Sequence, residues 1–323
     1  MNSNRLEGTE AAVQPVNSKR GRLEETDLSV LIAGIELQNP IMPASGCFGF
    51  GEEFNQIEGF DLSKLGALVS KGTTLLSREG NKQPRIIEAE GGMINSIGLE
   101  NPGIEIVIKG KIPFMAKSGV PVIINISGFT VQEFAALAKK LNNVAGVSAI
   151  EVNISCPNIH GGNLPFGSTP EAAAEVVRAV RSVGLFKLPL IVKLTPNVPD
   201  IVPIALAVEE AGADAISLIN TVKREYANGR IGGLSGPPIK KIAMRMVSQV
   251  YQAVKVPVIG MGGISTIEDV INFIKLGTTA VAIGTANFFN PLVMMELIDQ
   301  LEKYCEENQI QNLSQIRGTE KIT

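Results

Sequence analysis

The sequence predicts an α/β protein folded as a (β/α)8 barrel, also called a TIM barrel, and three observations support this prediction. Eight short apolar segments recur along the chain. Most are separated by segments with apolar residues at three- and four-residue spacing, and each ends at a glycine or a polar residue. Near-continuous apolar strands that alternate with such helices are typical of a parallel sheet covered by helices. Eight repeats favour a closed barrel over an open, doubly wound sheet, which is the alternative architecture.

The elements are predicted in a fixed order that begins with a short β-hairpin. Its strands are predicted at 30–32 and 35–37, with a turn at Gly34. The eight barrel strands are predicted at 41–44, 67–70, 122–126, 149–154, 190–194, 215–219, 256–259 and 279–283. The clearest amphipathic helices are predicted at 131–141, 170–183, 202–211, 239–254, 267–276 and 292–306.

A single domain is predicted, because no linker rich in Pro, Gly or Ser divides the chain. With 45% hydrophobic and 19% charged residues, the 323 residues can bury a sizeable core. The barrel is expected to span residues 28–310. Residues 1–27 are polar and mixed in charge, so they are expected to form a disordered N-terminal tail, and residues 311–323 are expected to form a C-terminal tail.

Composition excludes several classes of function. A net charge of −3, no Trp and three Tyr argue against a nucleic-acid partner. No apolar run is long enough to span a membrane. The three cysteines are far apart and form no C-x-x-C pattern, which suits a reducing cytoplasm. With His160 as the single histidine, neither a His-based metal site nor a Ser-His-Asp triad is expected.

The run Asn153-Ile-Ser-Cys156-Pro-Asn158 places a thiol between two carboxamides at the end of a predicted strand. A cysteine loses its proton near neutral pH where its surroundings favour the thiolate. Asparagine side chains can donate to and accept from the planar edge of a ligand. The run is therefore a candidate for a base beside a substrate-orienting pair. The alternative is a small buried cysteine in a turn formed by Pro and Asn.

Polar or glycine residues follow all eight predicted barrel strands. Because the active site of such barrels forms at the C-terminal ends of the strands, these residues are expected to share one face. Each one taken alone is also explained by turn formation. The strand ends are Ser45-Gly46, Lys71-Gly72, Asn125, Asn153, Lys193, Asn220-Thr221, Gly262-Gly263 and Gly284-Thr285.

The last two strand ends indicate a phosphate-binding site. Glycines after strands seven and eight let the backbone approach phosphate oxygens, although they also suit tight turns. The run Gly260-Met-Gly-Gly263 lacks the G-x-G-x-x-G pattern of dinucleotide folds, so a mononucleotide cofactor is favoured over NAD. Lys71 and Lys193 lie in apolar runs, where a cation could stabilise a reduced flavin, form a structural ion pair or form a Schiff base. The segment around Asn95 could cover the barrel mouth or form a plain surface hairpin.

Taken together, these stretches resemble the class 1 dihydroorotate dehydrogenases, which are FMN-containing (β/α)8 barrels of pyrimidine synthesis. The resemblance covers roughly residues 29 to 305. The matching motifs are Asn39-Pro-Ile-Met-Pro-Ala-Ser45-Gly, Ser70-Lys71-Gly-Thr, Asn95-Ser-Ile-Gly-Leu-Glu-Asn-Pro-Gly103, Asn153-Ile-Ser-Cys156-Pro-Asn158, Val192-Lys193-Leu-Thr-Pro, Ile219-Asn220-Thr221, Gly232-Gly-Leu-Ser-Gly-Pro237 and the two closing glycine motifs.

The resemblance implies a role for each matching residue. Cys156 would remove the proton from C5 of dihydroorotate, and FMN would accept a hydride from C6. Substrate contacts are implied for Lys71, Asn95, Ile97, Gly98, Leu99, Asn153, Asn158, Asn220 and Thr221. FMN contacts are implied for Ser45, Lys71, Gly72, Asn125, Asn153, Lys193, Ile219, Gly236, Gly262, Gly263, Gly284 and Thr285.

Within class 1, the motifs are most similar to the NAD-linked 1B type. That type implies a separate electron-transfer subunit carrying FAD and a 2Fe-2S cluster, on a homodimer core of a heterotetramer. The segment between Thr221 and Gly232 is shorter than in typical 1B members, so the fumarate-using 1A type stays a candidate. Three rival functions also suit a barrel with these strand ends. They are a different FMN barrel acting on pyrimidines, a Schiff-base lyase using Lys193, and a non-catalytic barrel that binds a phosphate ligand.

Overall fold

The computed structural model describes residues 26–155, 165–184, 188–226 and 229–322. We number its elements in chain order. The strands are β1 (Val30–Ile32), β2 (Ile35–Leu37), β3 (Ile41–Pro43), β4 (Leu68–Val69), β5 (Ile86–Ala89), β6 (Gly92–Asn95), β7 (Val122–Ile126), β8 (Ala149–Asn153), β9 (Leu190–Lys193), β10 (Ala215–Leu218), β11 (Val222–Tyr226), β12 (Arg230–Ser235), β13 (Val258–Met261) and β14 (Ala280–Ile283).

The α-helices follow the same chain-order numbering. They are α1 (Ile104–Ile106), α2 (Ile112–Ala116), α3 (Val131–Leu141), α4 (Pro170–Ser182), α5 (Val202–Glu210), α6 (Lys240–Ala253), α7 (Ile267–Lys275), α8 (Ala286–Phe289) and α9 (Val293–Glu307). A π-helical segment, Val107–Lys111, joins α1 to α2. No helix in the described ranges is long and apolar enough to cross a membrane.

Eight parallel strands form a nearly closed barrel, which confirms the predicted fold class. Their order around the barrel is β3-β14-β13-β10-β9-β8-β7-β4. Between β3 and β4 the Gly66 N–H donates to the Ile41 carbonyl at 2.8 Å. Seven of the eight strands lie within the predicted bounds, and β13 is displaced two residues towards the C-terminus.

The six predicted helices are all present, with ends within one residue of prediction. Local sequence explains where several begin. The Thr130 and Thr169 hydroxyls accept hydrogen bonds from backbone N–H groups in the first turns of α3 and α4. Thr266 and Asp269 form a reciprocal capping box at the start of α7. Such caps satisfy N–H groups that have no partner within the helix.

The predicted hairpin is β1 paired with β2. Its Ile32 and Leu37 side chains are 1% exposed and belong to the apolar cluster inside the barrel, together with Ile191 and Ile259. The larger apolar cluster lies between the strands and the surrounding helices. The hairpin therefore closes the N-terminal end of the barrel, opposite the strand ends that carry the polar residues.

Three features lie outside the sequence-based prediction. The first is the helical segment from α1 to α2. The second is an antiparallel sheet of order β11-β12-β6-β5, which gathers the Asn95 segment and the segment after Thr221. The third is the packing of residues 311–322, which the sequence places in a C-terminal tail. Leu313 is 3% exposed, and the Glu320 N–H donates to the Lys275 carbonyl at 2.9 Å.

The predicted N-terminal tail lies almost entirely outside the described residues. Within it the structure describes only residues 26 and 27. The Asp27 N–H donates to the Gln311 carbonyl at 2.9 Å. The chain therefore enters the barrel beside the segment that follows α9.

Candidate active site

A layer of polar side chains lies inside the barrel above the apolar base. Side chains alternate between the two faces of a strand, so residues two positions apart face the same way. Ile123, Ala149, Ile191 and Ala215 belong to the interior cluster. The residues two positions further along the same four strands are Asn125, Glu151, Lys193 and Ser217, and all four are buried.

Lys193 is the most deeply buried cation of the candidate site. Its side chain is 3% exposed, and it forms no ion pair with any residue in the described ranges. A buried ammonium without an anionic partner is costly. The position therefore favours a ligand that carries or develops negative charge.

Cys47, near the end of β3, is a poor candidate for a base. Burial raises the pKa of its thiol to about 11, and the nearby Lys193 ammonium only partly offsets that effect. The thiol is therefore protonated at neutral pH. A Cβ on Gly284 would lie 3.6 Å from Cys47 Sγ and 3.6 Å from Ala44 Cβ. The ends of β3 and β14 are therefore close together where the loop at Ser45 begins.

Lys71 is partly exposed and has an acidic neighbour. Its Nζ lies 3.9 Å from Glu100 Oε2, and Arg85 pairs with the same carboxylate oxygen. The Lys71 N–H donates to the Gly49 carbonyl at 2.7 Å, which fixes the backbone at the strand end. The ammonium is thus held near the barrel mouth by an ion pair too long for a strong hydrogen bond, and it can reorient towards an anionic ligand.

Asn153 and Asn220 are joined through Ser155. The Ser155 hydroxyl donates to Asn153 Oδ1 at 2.5 Å and accepts from Asn220 Nδ2 at 2.6 Å. Asn220 Oδ1 also accepts from the Thr221 N–H at 2.8 Å. Because Asn153 Oδ1 is engaged, its Nδ2 donors are the atoms left to a ligand.

Asn95 and Thr221 both lie close to Gly233 in the second sheet. Asn95 Nδ2 donates to the Gly233 carbonyl at 3.3 Å, and a Cβ at Gly233 would lie 2.1 Å from the Thr221 hydroxyl oxygen. Only glycine at position 233 allows this approach. The Asn95 segment is a hairpin of β5 and β6 that pairs with β12, so it is integrated into a sheet beside the loop after β10.

The loop after β6 presents free backbone donors. The carbonyls of Ile97, Gly98 and Leu99 accept from the Asn81 N–H, Arg78 Nε and Asn101 Nδ2, respectively. Gly98 and Leu99 both have positive φ, at 78° and 57°. Their N–H groups have no acceptor within the described part of the chain. A Leu residue in this strained conformation often marks a functional position.

Two of the glycines predicted to contact FMN line one cavity. Gly236, Gly263 and Thr285 line a cavity of about 360 Å³ together with Gly91 and Ser265. Gly263 has φ +78°, and a Cβ there would lie 2.9 Å from the Gly236 carbonyl oxygen. A Cβ at Gly236 would lie 3.1 Å from Gly92 Cα and 3.3 Å from Thr285 Cγ2, so glycine lets these backbone segments approach one another beside the cavity. A Cβ at Gly262 would lie 2.7 Å from Ala243 Cβ and 3.3 Å from Ile219 Cγ1, so glycine is required at this close approach.

Gly72 lies close to two polar atoms that have no hydrogen-bond partner in the part of the chain that the structure describes. A Cβ at Gly72 would be 3.2 Å from Asn125 Oδ1, 3.4 Å from Ser127 Oγ and 3.7 Å from Leu99 Cδ2. Both Asn125 Oδ1 and Ser127 Oγ are buried without a hydrogen-bond partner in the described chain. Buried polar atoms of this kind are usually satisfied by a ligand or by water.

Part of the predicted site lies outside the described residues. Cys156 and Asn158, the predicted base and one predicted substrate contact, fall in the range 156–164, and so does His160. The structure describes the chain up to Ser155, which follows β8 at the barrel mouth. The other predicted site residues lie at the strand ends or in the loops that follow them.

Three residues in this region were missed by sequence reasoning, namely Glu151, Ser155 and Ser217. Glu151 is a single carboxylate inside an apolar strand, two residues before Asn153 and so on the same face. That placement is a signal that could have identified it. Ser155 and Ser217 carry no comparable signal, because a serine near a strand end is ordinary turn chemistry.

Comparisons with known proteins point to one family. The family model described as "Dihydroorotate dehydrogenase" matches residues 27–305. The chain is similar to proteins named "Dihydroorotate dehydrogenase B (NAD(+)), catalytic subunit". The one from Anoxybacillus flavithermus (strain DSM 21510 / WK1) is 48% identical over 301 residues, covering 90% of this chain and 95% of the relative.

Two further relatives carry the same name. The protein from Geotalea uraniireducens (strain Rf4) is 48% identical over 301 residues, which are 90% of this chain and 97% of the relative. The protein from Malacoplasma penetrans (strain HF-2) is 46% identical over 301 residues, with the same coverage of both chains. The chain forms a barrel with polar residues at its strand ends, and it matches these proteins over most of its length. It therefore belongs to the dihydroorotate dehydrogenase family.

Proposed function

We propose that this chain is the catalytic subunit of an NAD-linked dihydroorotate dehydrogenase, which oxidises (S)-dihydroorotate to orotate in de novo pyrimidine biosynthesis. The observation that supports the proposal most is the buried Lys193, which has no anionic partner among the described residues, in a barrel whose Gly236, Gly263 and Thr285 line one cavity. The relatives named above support the same activity. Flavin dependence is a general property of the family, and we propose FMN as the flavin.

The residues present fit a flavin mononucleotide. The cavity beside Gly236, Gly263 and Thr285 suits a phosphate group. The buried Lys193 has no anionic partner in the described residues, and Asn125 Oδ1 has no donor. We propose that the ring system lies against Ser45, Gly72, Asn125, Asn153, Lys193 and Ile219, with Gly262 and Gly284 near its phosphate end. When bound, the flavin supplies the two-electron acceptor of the reaction.

The substrate is proposed to lie at the mouth, over the ring-binding region. Lys71, held 3.9 Å from Glu100, would attract the carboxylate of dihydroorotate. The N–H groups of Gly98 and Leu99 and the Asn153 amide supply further donors, and Asn95, Asn220 and Thr221 lie on the adjoining elements. Asn158 is proposed as a further substrate contact. Planar amide edges match such donors and acceptors.

Proton removal is proposed for Cys156. A thiolate can take the C5 proton while the C6 hydrogen and its two electrons leave to the acceptor, so that a C5–C6 double bond forms and the charges balance. The thiolate is favoured by nearby cations. Cys47 is unsuited to this task, because burial raises the pKa of its thiol to about 11.

The experiment that tests the function uses the purified chain and its visible spectrum. We expect a yellow protein whose chromophore, once released by denaturation, has the mass of FMN. Anaerobic addition of dihydroorotate should bleach the flavin absorbance. Dihydrouracil, which lacks the carboxylate, serves as the matched control and should bleach it far more slowly, because Lys71 has no anion to bind.

Other results would contradict the proposal. Faster bleaching by dihydrouracil would favour a different pyrimidine oxidoreductase on the same fold. A colourless protein that takes up no added FMN would favour a non-catalytic phosphate-binding barrel. Covalent trapping of a carbonyl substrate on Lys193 by borohydride would favour a Schiff-base lyase.

The physiological oxidant is proposed to be NAD⁺, reached through a partner subunit. The names of the relatives above include "B (NAD(+)), catalytic subunit", which supports this choice. We propose that the partner carries FAD and a 2Fe-2S cluster and binds a homodimer of this chain, giving a heterotetramer in the cytoplasm. The sequence has no dinucleotide-binding glycine pattern of its own.

We therefore expect negligible NAD⁺ reduction by the isolated chain, while small artificial acceptors that reach the flavin edge sustain turnover. The physical reason is that two-electron transfer to NAD⁺ needs a site that orients the nicotinamide, and none is predicted here. Steady-state assays with each acceptor measure this, and co-expression with the electron-transfer subunit is the positive control. Robust turnover with fumarate would instead assign the chain to the 1A type.

A further inference from the structure

Glu151 is a buried carboxylate inside the barrel that the proposed reaction does not use. It lies on β8, two residues before Asn153, and its side chain is 4% exposed. It forms no ion pair with a residue in the described part of the chain. Burying a carboxylate is costly unless hydrogen bonds compensate for lost water. The hydrogen-bond donors to Glu151 therefore bear on its role.

Each carboxylate oxygen of Glu151 accepts one hydrogen bond. Asn125 Nδ2 donates to Oε2 at 2.5 Å, and the Ser217 hydroxyl donates to Oε1 at 2.6 Å. Both Glu151 oxygens act as acceptors here, so Asn125 presents its amino group to Glu151. The opposite orientation of the amide would place its oxygen against the carboxylate.

Because the Asn125 amino group binds Glu151, the amide oxygen of Asn125 points away from Glu151. Asn125 Oδ1 is buried and has no donor in the described chain, and it lies 3.2 Å from the position of a Cβ on Gly72. Ser127 Oγ, also without a partner, lies 3.4 Å from that position. An unsatisfied buried acceptor costs about 1–3 kcal/mol. The arrangement is therefore suited to a ligand that brings an N–H donor to this point.

We propose that Glu151 is a positioning residue, whose hydrogen bond with Asn125 Nδ2 holds the amide oxygen of Asn125 towards a ring N–H of the bound flavin. This inference rests on the proposed function, because it requires that the barrel binds a flavin. Glu151 acts through Asn125 and does not touch the ligand. Ser217 satisfies the second carboxylate oxygen and has no part in orienting the amide.

The test is a double-mutant cycle. In each variant, the affinity of the apoprotein for FMN is measured by quenching of FMN fluorescence. Glu151→Leu and Asn125→Ala should each weaken FMN binding by about 10- to 100-fold, the range expected for one lost charged or buried hydrogen bond. The double variant should be no weaker than the weaker single variant, because Glu151 acts only through Asn125. Additive losses would overturn the proposal.

Two further variants keep the test decisive if Glu151→Leu does not fold. Ser217→Ala removes the other hydrogen bond to Glu151 and should leave FMN affinity unchanged. Glu151→Gln should also retain it, because the Ser217 hydroxyl can accept from the new amide while the Gln oxygen serves Asn125. A loss in Ser217→Ala equal to that in Asn125→Ala would refute the assigned role.

The readouts also separate this inference from the proposed function and identify the ligand ring. If the unsubstituted apoprotein does not bind FMN, the proposed function itself fails. If it binds FMN and the cycle is additive, only the role of Glu151 fails. The second measurement is the affinity of the flavin-loaded variants for orotate. If the non-additive loss of affinity in the variants appeared only for orotate, the N–H donor would belong to the pyrimidine ring. That result would overturn the assignment to flavin.

Discussion

Cys156→Ser is expected to slow reduction of the bound flavin by dihydroorotate by about 10²- to 10⁴-fold, the usual contribution of a general base. A serine hydroxyl is a far weaker base than a thiolate unless another group activates it. The single histidine of the chain, His160, is the only imidazole that could do so. Anaerobic stopped-flow absorbance of the flavin measures the rate, and flavin content should stay unchanged.

The matched control for this substitution is Cys305→Ala. Cys305 is buried on α9, and burial raises the pKa of its thiol to about 11, so it stays protonated. Its loss should leave the reduction rate per bound flavin unchanged. If Cys156→Ser reduced its flavin at the unsubstituted rate, proton removal would belong to a different residue.

Lys193→Met is expected to lower the midpoint potential of the bound flavin. Lys193 is 3% exposed and has no anionic partner in the described residues, so its charge is available to a reduced, anionic flavin. At an effective dielectric constant of about 20, one charge acting over about 4–8 Å is worth about 2–4 kcal/mol. For two electrons this corresponds to about 40–90 mV. Methionine keeps a similar length without the charge.

Reductive titration against a reference dye measures the potential, and flavin affinity in the oxidised state is measured beside it. Lys303→Met is the control for loss of one positive charge, since Lys303 is exposed on α9 near Glu307. It should leave the potential unchanged. An unchanged potential in Lys193→Met would show that the ammonium does not face the flavin ring. That result would indicate a structural role for Lys193.

The sequence alone determined the architecture, because hydrophobic periodicity is a local property. Eight apolar segments with amphipathic helices between them require a parallel sheet covered by helices, and the caps at Thr130 and Thr266 lie within a few residues of the helices they begin. The same local logic placed polar residues at strand ends, since strands of one barrel share a direction. The predicted roles of those residues stay predictions.

Contacts between distant segments were decided only by the tertiary structure. Lys71 lies near Glu100, and Asn220 donates to the Ser155 hydroxyl, yet no spacing in the sequence specifies these pairs. They depend on the register and twist with which strands and loops meet. The sheet that joins β6 to β12 could not be predicted for the same reason, because its segments are short and far apart.

Glu151 shows most clearly where sequence reasoning ends. As a single carboxylate in an apolar strand, it could be predicted to face the barrel interior beside Asn153. Whether a buried carboxylate is paired, protonated or hydrogen-bonded depends on the atoms around it. Only the fold brings Asn125 and Ser217 to its two oxygens and leaves Asn125 Oδ1 without a donor among the described residues. The sequence determined which residues line the barrel, and three-dimensional packing decided which polar atoms remain for a ligand.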